Sequence, residues 1–260
     1  MAAHLLSNFS IEGMPVMSKL VTPKAPPFPV VPQNLPSENG ENMESPWHRN
    51  QMQILIHVLE YHWRDRKDFY CGGNMFIHYS LKRLRSEEFR GPDFFVALEV
   101  EHDRPRDYWA IWEEDGKYPD LIIELLSPTT ATEDLTTKKA IYERTFHTAE
   151  YFCLDPDGFS LRGWRMAGRY RPIRTGKDHR MWCEILQLFL GQWHGNFDGL
   201  TADYLRFFDV EGKMLPTPGE AEAARADAEA TRADVAEAEV ERLRKELEEL
   251  KGKRSKNGKS

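Results

Sequence analysis

Cysteine is scarce in this chain and poorly spaced for covalent or metal work. Only Cys71, Cys153 and Cys183 occur in 260 residues. They are odd in number, far apart, and never arranged as CxxC. Neither a disulfide framework nor a zinc–thiolate site is expected, and a reducing cytoplasm is the natural setting. No HExxH occurs among nine histidines, and His57 and His62, five apart, miss a shared helical face. That spacing argues against a zinc hydrolase. The first twenty residues, MAAHLLSNFSIEGMPVMSKL, lack a basic stretch leading into an apolar run of signal length. No apolar run approaches the length of a bilayer span. A soluble, cytoplasmic protein is the expectation. An excess of positive charge is missing too. The net charge of -7 does not advertise nucleic-acid binding, but it bounds only the average, and a basic groove can sit within it.

What is present suffices for a packed core: 40% hydrophobic residues, 12% aromatics and seven tryptophans, well outside the range of disordered chains. Residues 1–43, including TPKAPPFPVVPQNLPSENGE, are rich in proline and turn formers and read as an extended or disordered tail. A globular domain is expected over 44–212. It opens with SPWHRNQMQILIHVLEYHWRD, a helix with Ser45 as N-cap and Pro46 at its first position. Trp47, Ile54, Leu55, Val58 and Leu59 follow at helical spacing. Strand candidates come next in YCGGNMFIHYS, PDFFVALEV, YWAIW and DLIIELLSP. TATEDLTTKKAIYERTF reads as a helix, with Thr130 and Glu133 at capping-box spacing. EYFCLDPDG is a strand entering a turn, and further strand–loop units run to about Asp209. This order predicts an α/β or α+β domain with a mixed sheet.

Residues 213–251 differ in kind. They are rich in alanine and charge, carry no aromatic, and form a long helix by propensity. Ala233, Ala236, Val240, Leu243, Leu247 and Leu250 follow 3–4 spacing. This is a weak seam for a coiled coil with a second copy or a partner helix, a solvated single helix being the alternative. The helix is expected to share little of the core and to be dispensable for the fold. Residues 252–260 form a basic tail.

One residue resists a purely structural account. Glu124 sits inside the apolar run of DLIIELLSP, where an unpartnered carboxylate costs several kcal/mol. Asp120 lies four residues earlier on the same strand face. Asp93 opens PDFFVALEV and can converge with Glu124 if the two strands pair. Carboxylates crowded in apolar surroundings repel one another. A hard divalent cation, Mg²⁺ or Mn²⁺ in its place, removes that penalty. Projecting residues 134–146 at 3.6 per turn puts Lys138 near the middle of the face that carries Leu135, Ile141, Tyr142 and Phe146. Lys139 falls towards the rim. Acidic ligands plus one lysine are the components of metal-assisted phosphodiester hydrolysis. The plainer alternative is a glutamate on a solvent-facing strand edge, with PD as a turn dipeptide.

The stretch GPDFFVAL…YPDLIIELLSP…LTTKKAIYERTFHTAEYFCLDPDG resembles the Uma family of restriction-type endonucleases, within the PD-(D/E)XK nuclease superfamily. The resemblance spans roughly Glu44 to Asp209. It implies a restriction-endonuclease-like core, with Asp93 as the PD aspartate and Glu124 as the acid of the following strand. The superfamily's lysine two residues after that acid is absent, because Leu126 stands there. The family places its lysine on the next helix in K-x-x-x-Y spacing, which Lys138 and Tyr142 match. Glu44 and His48 resemble the acidic and histidine positions at the start of the first helix. Asp120 matches the second PD and is implied as a ligand or as a group that orients one. The implied activity is Mg²⁺-dependent endonucleolytic cleavage of DNA, with Asp93, Glu124 and Asp120 as metal ligands. The rival reading is a catalytically inactive nuclease fold that acts by oligomerising, as a homodimer for instance, through the C-terminal helix.

Overall fold

A computed structural model describes residues 45–80 and 89–257; the tail expected over 1–43 lies outside the described residues. Helix α1, Pro46–His62, is capped as expected, with Ser45 Oγ accepting from His48 N at 3.2 Å. Its apolar stripe, Ile54, Leu55, Val58 and Leu59, is fully buried. Gln51 fastens the helix to a strand edge: its Nε2 donates to Leu205 O at 3.0 Å, and its Oε1 accepts from Leu205 N at 2.6 Å.

The strands are β1 (Phe69–Gly72), β2 (Ile77–His78), β3 (Phe89–Arg90), β4 (Phe94–Leu98), β5 (Trp109–Ala110) and β6 (Leu121–Leu125). After a helical segment come β7 (Glu150–Asp155), β8 (Ser160–Met166), β9 (Tyr170–Pro172), β10 (Met181–Cys183), β11 (Leu188–Phe197) and β12 (Leu200–Phe208). Six strands form a mixed sheet in the order β1-β4-β6-β7-β8-β9. Only β6 and β7 pair in parallel; the other neighbours are antiparallel. Two three-stranded sheets, β10-β11-β12 and β3-β2-β5, flank it. The mixed α/β architecture is therefore as the sequence predicts. The short strands β3, β9 and β10 were not anticipated, and YWAIW contributes only two residues of strand before its turn.

Every residue of β6 is buried, as expected of a strand covered on both faces, whose sequence then reads as a continuous apolar run. On one face, Leu121, Ile123 and Leu125 pack with α1 and with Leu188, Leu190, Leu205 and Phe207. On the other, Phe95, Ile122, Tyr151 and Cys153 pack beneath Tyr142 and Phe146. The three cysteines are free and buried.

The segment 131–146 departs from a regular α-helix. Short α turns, α2 (Ala131–Glu133) and α3 (Lys139–Ile141), alternate with π turns, π1 (Asp134–Lys138) and π2 (Tyr142–Phe146). The expected capping box does not form, because Thr130 already has helical backbone angles and makes no side-chain cap. Its hydroxyl instead turns back to Ser127 Oγ at 3.0 Å.

Helix α4 runs Pro218–Asn257. Its capping box is real: Glu220 N donates to Thr217 Oγ1 at 3.2 Å, and Thr217 N to Glu220 Oε2 at 2.7 Å. The same glutamate pairs bidentately with Arg206, at 2.6 and 3.0 Å. The Arg206 side chain is fully buried. The first turn of α4 is thus tied to the core, in a helix expected to share little of it. From Glu222 to Glu248 the helix is exposed, Val240, Leu243 and Leu247 included. Among the described residues no helix is long and apolar enough to cross a membrane.

Candidate active site

Antiparallel pairing of Phe94 with Ile123 brings Asp93, one residue before β4, opposite Glu124. Asp93 N donates to Glu124 Oε2 at 3.4 Å, and Leu125 N donates to Asp93 Oδ2 at 2.6 Å. Glycine is required next door. A Cβ on Gly73 would lie 2.3 Å from Asp93 O and 2.8 Å from the Met52 side chain, so α1 and the start of β4 can close on each other only there. Glu124 is completely buried and faces the 131–146 segment. Tyr142 OH donates to its Oε1 at 2.8 Å, and Lys138 Nζ lies 3.2 Å from the same oxygen. Lys138 Nζ is also 2.7 Å from Asp134 Oδ1.

Asp134, Lys138 and Tyr142 are spaced by four. In a regular α-helix, each step of four overshoots a full turn by about 40°. The wider π turns undershoot, so alternating the two keeps the three side chains in one column above Glu124. π turns of this kind recur at functional sites.

The electrostatics follow from burial. Desolvation pushes Glu124 up to about 8, with Asp93 and Asp134 adding to the rise and Lys138 opposing it. Desolvation likewise pushes Asp93 up to about 6, against the Leu125 amide and Lys138. For Lys138 burial alone would lower the pKa, but Glu124 and Asp134 more than reverse it, so the ammonium stays charged. Tyr142 is raised by burial and then by Glu124, which keeps it a neutral donor.

The structure brings Asp93, Glu124 and Lys138 together. It leaves Asp120 at the far end of β6, about 13 Å from Glu124 along the strand. There the Asp120 carboxylate accepts from Leu98 N at 2.8 Å and lies 3.4 Å from Lys117 Nζ. His48 occupies the α1 cap, with Nδ1 2.8 Å from Ser45 Oγ. Glu44 lies outside the described residues. Lys139 is not a free rim residue: its Nζ sits over the Trp164 ring at 4.5 Å from the centroid. Sequence reasoning missed Asp134. The available signal was the spacing D-x-x-x-K-x-x-x-Y.

Among the described residues no group of three or more His, Cys, Asp or Glu side chains is arranged to hold a metal ion. Mg²⁺ does not require such a cage; it keeps several waters and is commonly held by one or two carboxylates plus substrate phosphate. Asp93 and Glu124 are hard oxygen donors and adjacent, and with Asp134 they gather around Lys138. The donor chemistry fits a divalent ion of that kind.

Comparison with known proteins places this site in context. Among solved structures, a putative nuclease belonging to DUF820 from Anabaena variabilis ATCC 29413 is similar, with 14% identity and a TM-score of 0.41 over 55% of this chain and 75% of that one. A likeness that weak supports no inference. No curated protein sequence matches the chain. A family model does: Uma2, described as putative restriction endonuclease, over residues 39–194. That span is more than half of the chain and contains Asp93, Glu124, Asp134, Lys138 and Tyr142, and on it the chain belongs to the Uma2 family.

Proposed function

We propose that the protein is a Mg²⁺-dependent endonuclease that hydrolyses DNA phosphodiester bonds, with Mn²⁺ able to replace Mg²⁺. The observation that carries this reading is the gathering of Asp93 with the buried Glu124 and Asp134 around the Lys138 ammonium. Asp93 and Glu124 would hold the metal. When bound, the ion supplies charge neutralisation at the phosphate and a lowered pKa for an attacking water. Lys138 presents its ammonium to the charge that develops on the phosphoryl oxygens. Asp134 holds Lys138, and Tyr142 holds Glu124, so both reach the reaction already oriented. The test is incubation with plasmid, single-stranded DNA and RNA in Mn²⁺ and in EDTA, beside a melting curve with and without Mn²⁺. Metal-dependent cleavage together with a stabilising shift supports the reading. No cleavage and no shift point to the inactive interaction protein instead.

The exposed seam of α4 favours a parallel homodimer. With Val240 and Leu247 at a positions and Leu243 at d, the g-to-e pairs across a parallel dimer are Arg232 with Glu237, Glu239 with Arg244, and Glu246 with Lys251. All three are opposite in charge, the arrangement that stabilises a two-stranded pairing. Sedimentation equilibrium of Leu243→Glu against the unaltered chain tests it.

A further inference from the structure

The active-site row of the sheet continues beyond Glu124. Register carries it from Glu124 to Cys153 on β7 and from Cys153 to Arg162 on β8. Trp164 pairs with Pro172, and Ile173 N donates to Gly163 O at 2.8 Å. The pairing thus runs one step past β9, to Ile173 opposite Gly163, and continuing the same register would bring Arg174 alongside Arg162. Paired residues share a face, so Glu124, Cys153 and Arg162 form one line across it, which Asp93 extends at one end and Arg174 at the other by continuation of the register. With strands about 4.8 Å apart, Arg162 lies about 10 Å and Arg174 about 14 Å from Glu124.

Both arginines are exposed, and among the described residues neither makes an ion pair. Neighbouring like charges destabilise a sheet edge, and among the described residues no carboxylate pairs with either of these two. Asp155, the acid next along that face, is engaged in its own turn, accepting from Asp157 N at 3.0 Å. The surroundings reinforce the pattern. From Arg162 to Lys177 the sequence holds six cations and no acid, in a chain of net charge -7. Arg165, on the opposite face, is neutralised by Glu150 at 2.7 Å, which leaves the active-site face of this edge with its charge unanswered.

We propose that Arg162 and Arg174 form a phosphate-binding edge that holds the nucleic-acid backbone as it leaves the Asp93–Glu124 site across β7, β8 and β9. This rests on the nuclease reading for the identity of the polyanion. Cys153, between them in the row, is buried beneath the 131–146 segment, so a backbone would pass around the rim of that segment to reach the two guanidiniums, each able to make bidentate contacts. Exposed cations that contact only phosphate contribute affinity and salt dependence without sequence preference.

The experiment is fluorescence anisotropy with a short labelled DNA duplex in EDTA, where cleavage is blocked, over a salt series. For Arg162→Ala with Arg174→Ala, the slope of log affinity against log salt should fall by about two, at about 0.9 per phosphate contact. Affinity at low salt should fall at least tenfold. Arg162→Lys with Arg174→Lys should keep the slope, as should the charge-matched control Arg242→Ala with Lys245→Ala on the outer face of α4. Single-stranded DNA and RNA probes identify which backbone the edge holds. An unchanged slope in the double alanine variant, or no binding by the unaltered chain, overturns the proposal. Cleavage with Mn²⁺ alongside that unchanged slope would leave the nuclease reading intact. Slope loss in a chain that never cleaves would do the reverse.

Discussion

Replacing Glu124 by glutamine should stabilise the metal-free protein, and by an amount that grows with pH. A rise from 4.5 to about 8 is, at about 1.4 kcal/mol per unit, of order 5 kcal/mol between the two protonation states. The pull of Lys138 is already inside that net rise. Because the folded state binds this proton more tightly than the unfolded chain, the wild type loses stability as pH climbs from 4.5 to about 8. Glutamine has no proton to lose. It keeps an oxygen for Tyr142 OH and leaves Lys138 with Asp134 at 2.7 Å. Against this stands one hydrogen bond, from Asp93 N, worth about 1 kcal/mol. Allowing for relaxation and for the titration of Asp93 alongside, the net gain at pH 8.5 is about 2–3 kcal/mol, or roughly 5–10 °C in a domain of this size. At pH 5 the variant should match the wild type or fall slightly below it. Thermal melts in EDTA at pH 5 and 8.5 provide the assay. A destabilisation equal at both pH values would refute the reasoning and make Glu124 half of a structural ion pair. In Mn²⁺ the order should invert, with only the wild type gaining stability and only the wild type cleaving.

Lys138→Ala leaves Glu124 and Asp134 without their cation, so the metal-free protein should lose about 3–5 kcal/mol at pH 8; Mn²⁺ should restore more stability than it adds to the wild type, while cleavage stays absent. Lys139→Ala should cost about 1 kcal/mol or less through its contact with Trp164 and leave cleavage unchanged. Gly73→Ala forces the start of β4 away from α1, and a nuclease assay should show at least a tenfold loss, with melting lowered by about 1–3 kcal/mol. Glu220→Ala strands the buried guanidinium of Arg206 and should cost about 3 kcal/mol in a denaturant titration; truncation after Ala230, which keeps that pair, should not.

The parts of the site legible in the sequence were those fixed by local pattern. An acid just before one apolar run and an acid inside the next can meet if the runs pair, and Asp93 and Glu124 do. The inward projection of Lys138 survived the change from α to mixed α/π geometry because a step of four stays on one face in both. Asp134 escaped notice because an acid in the first turn of a helix reads as a favourable partner for the helix dipole. Asp120 was grouped with Glu124 because a period of two reports the face of a strand and not the distance along it. The row to Arg162 and Arg174 depends on strand order, which no local pattern encodes, and net charge averaged those arginines away. The anchoring of α4 was hidden for a similar reason: Arg206 and Glu220 are fourteen residues apart, and only the fold shows that the arginine is buried.

Helix α4 also affects how the molecule will migrate. Forty residues at 1.5 Å each make a rod about 60 Å long, fixed at one end through Glu220. A compact body of about 170 residues has a radius of gyration near 15 Å. A rod longer than the body that carries it adds drag beyond that of a sphere of equal mass, so residues 45–257 by themselves will elute from a sizing column ahead of a globular standard of their own mass. Elution volume will therefore overstate the mass, and stoichiometry has to be weighed by light scattering or sedimentation equilibrium rather than timed.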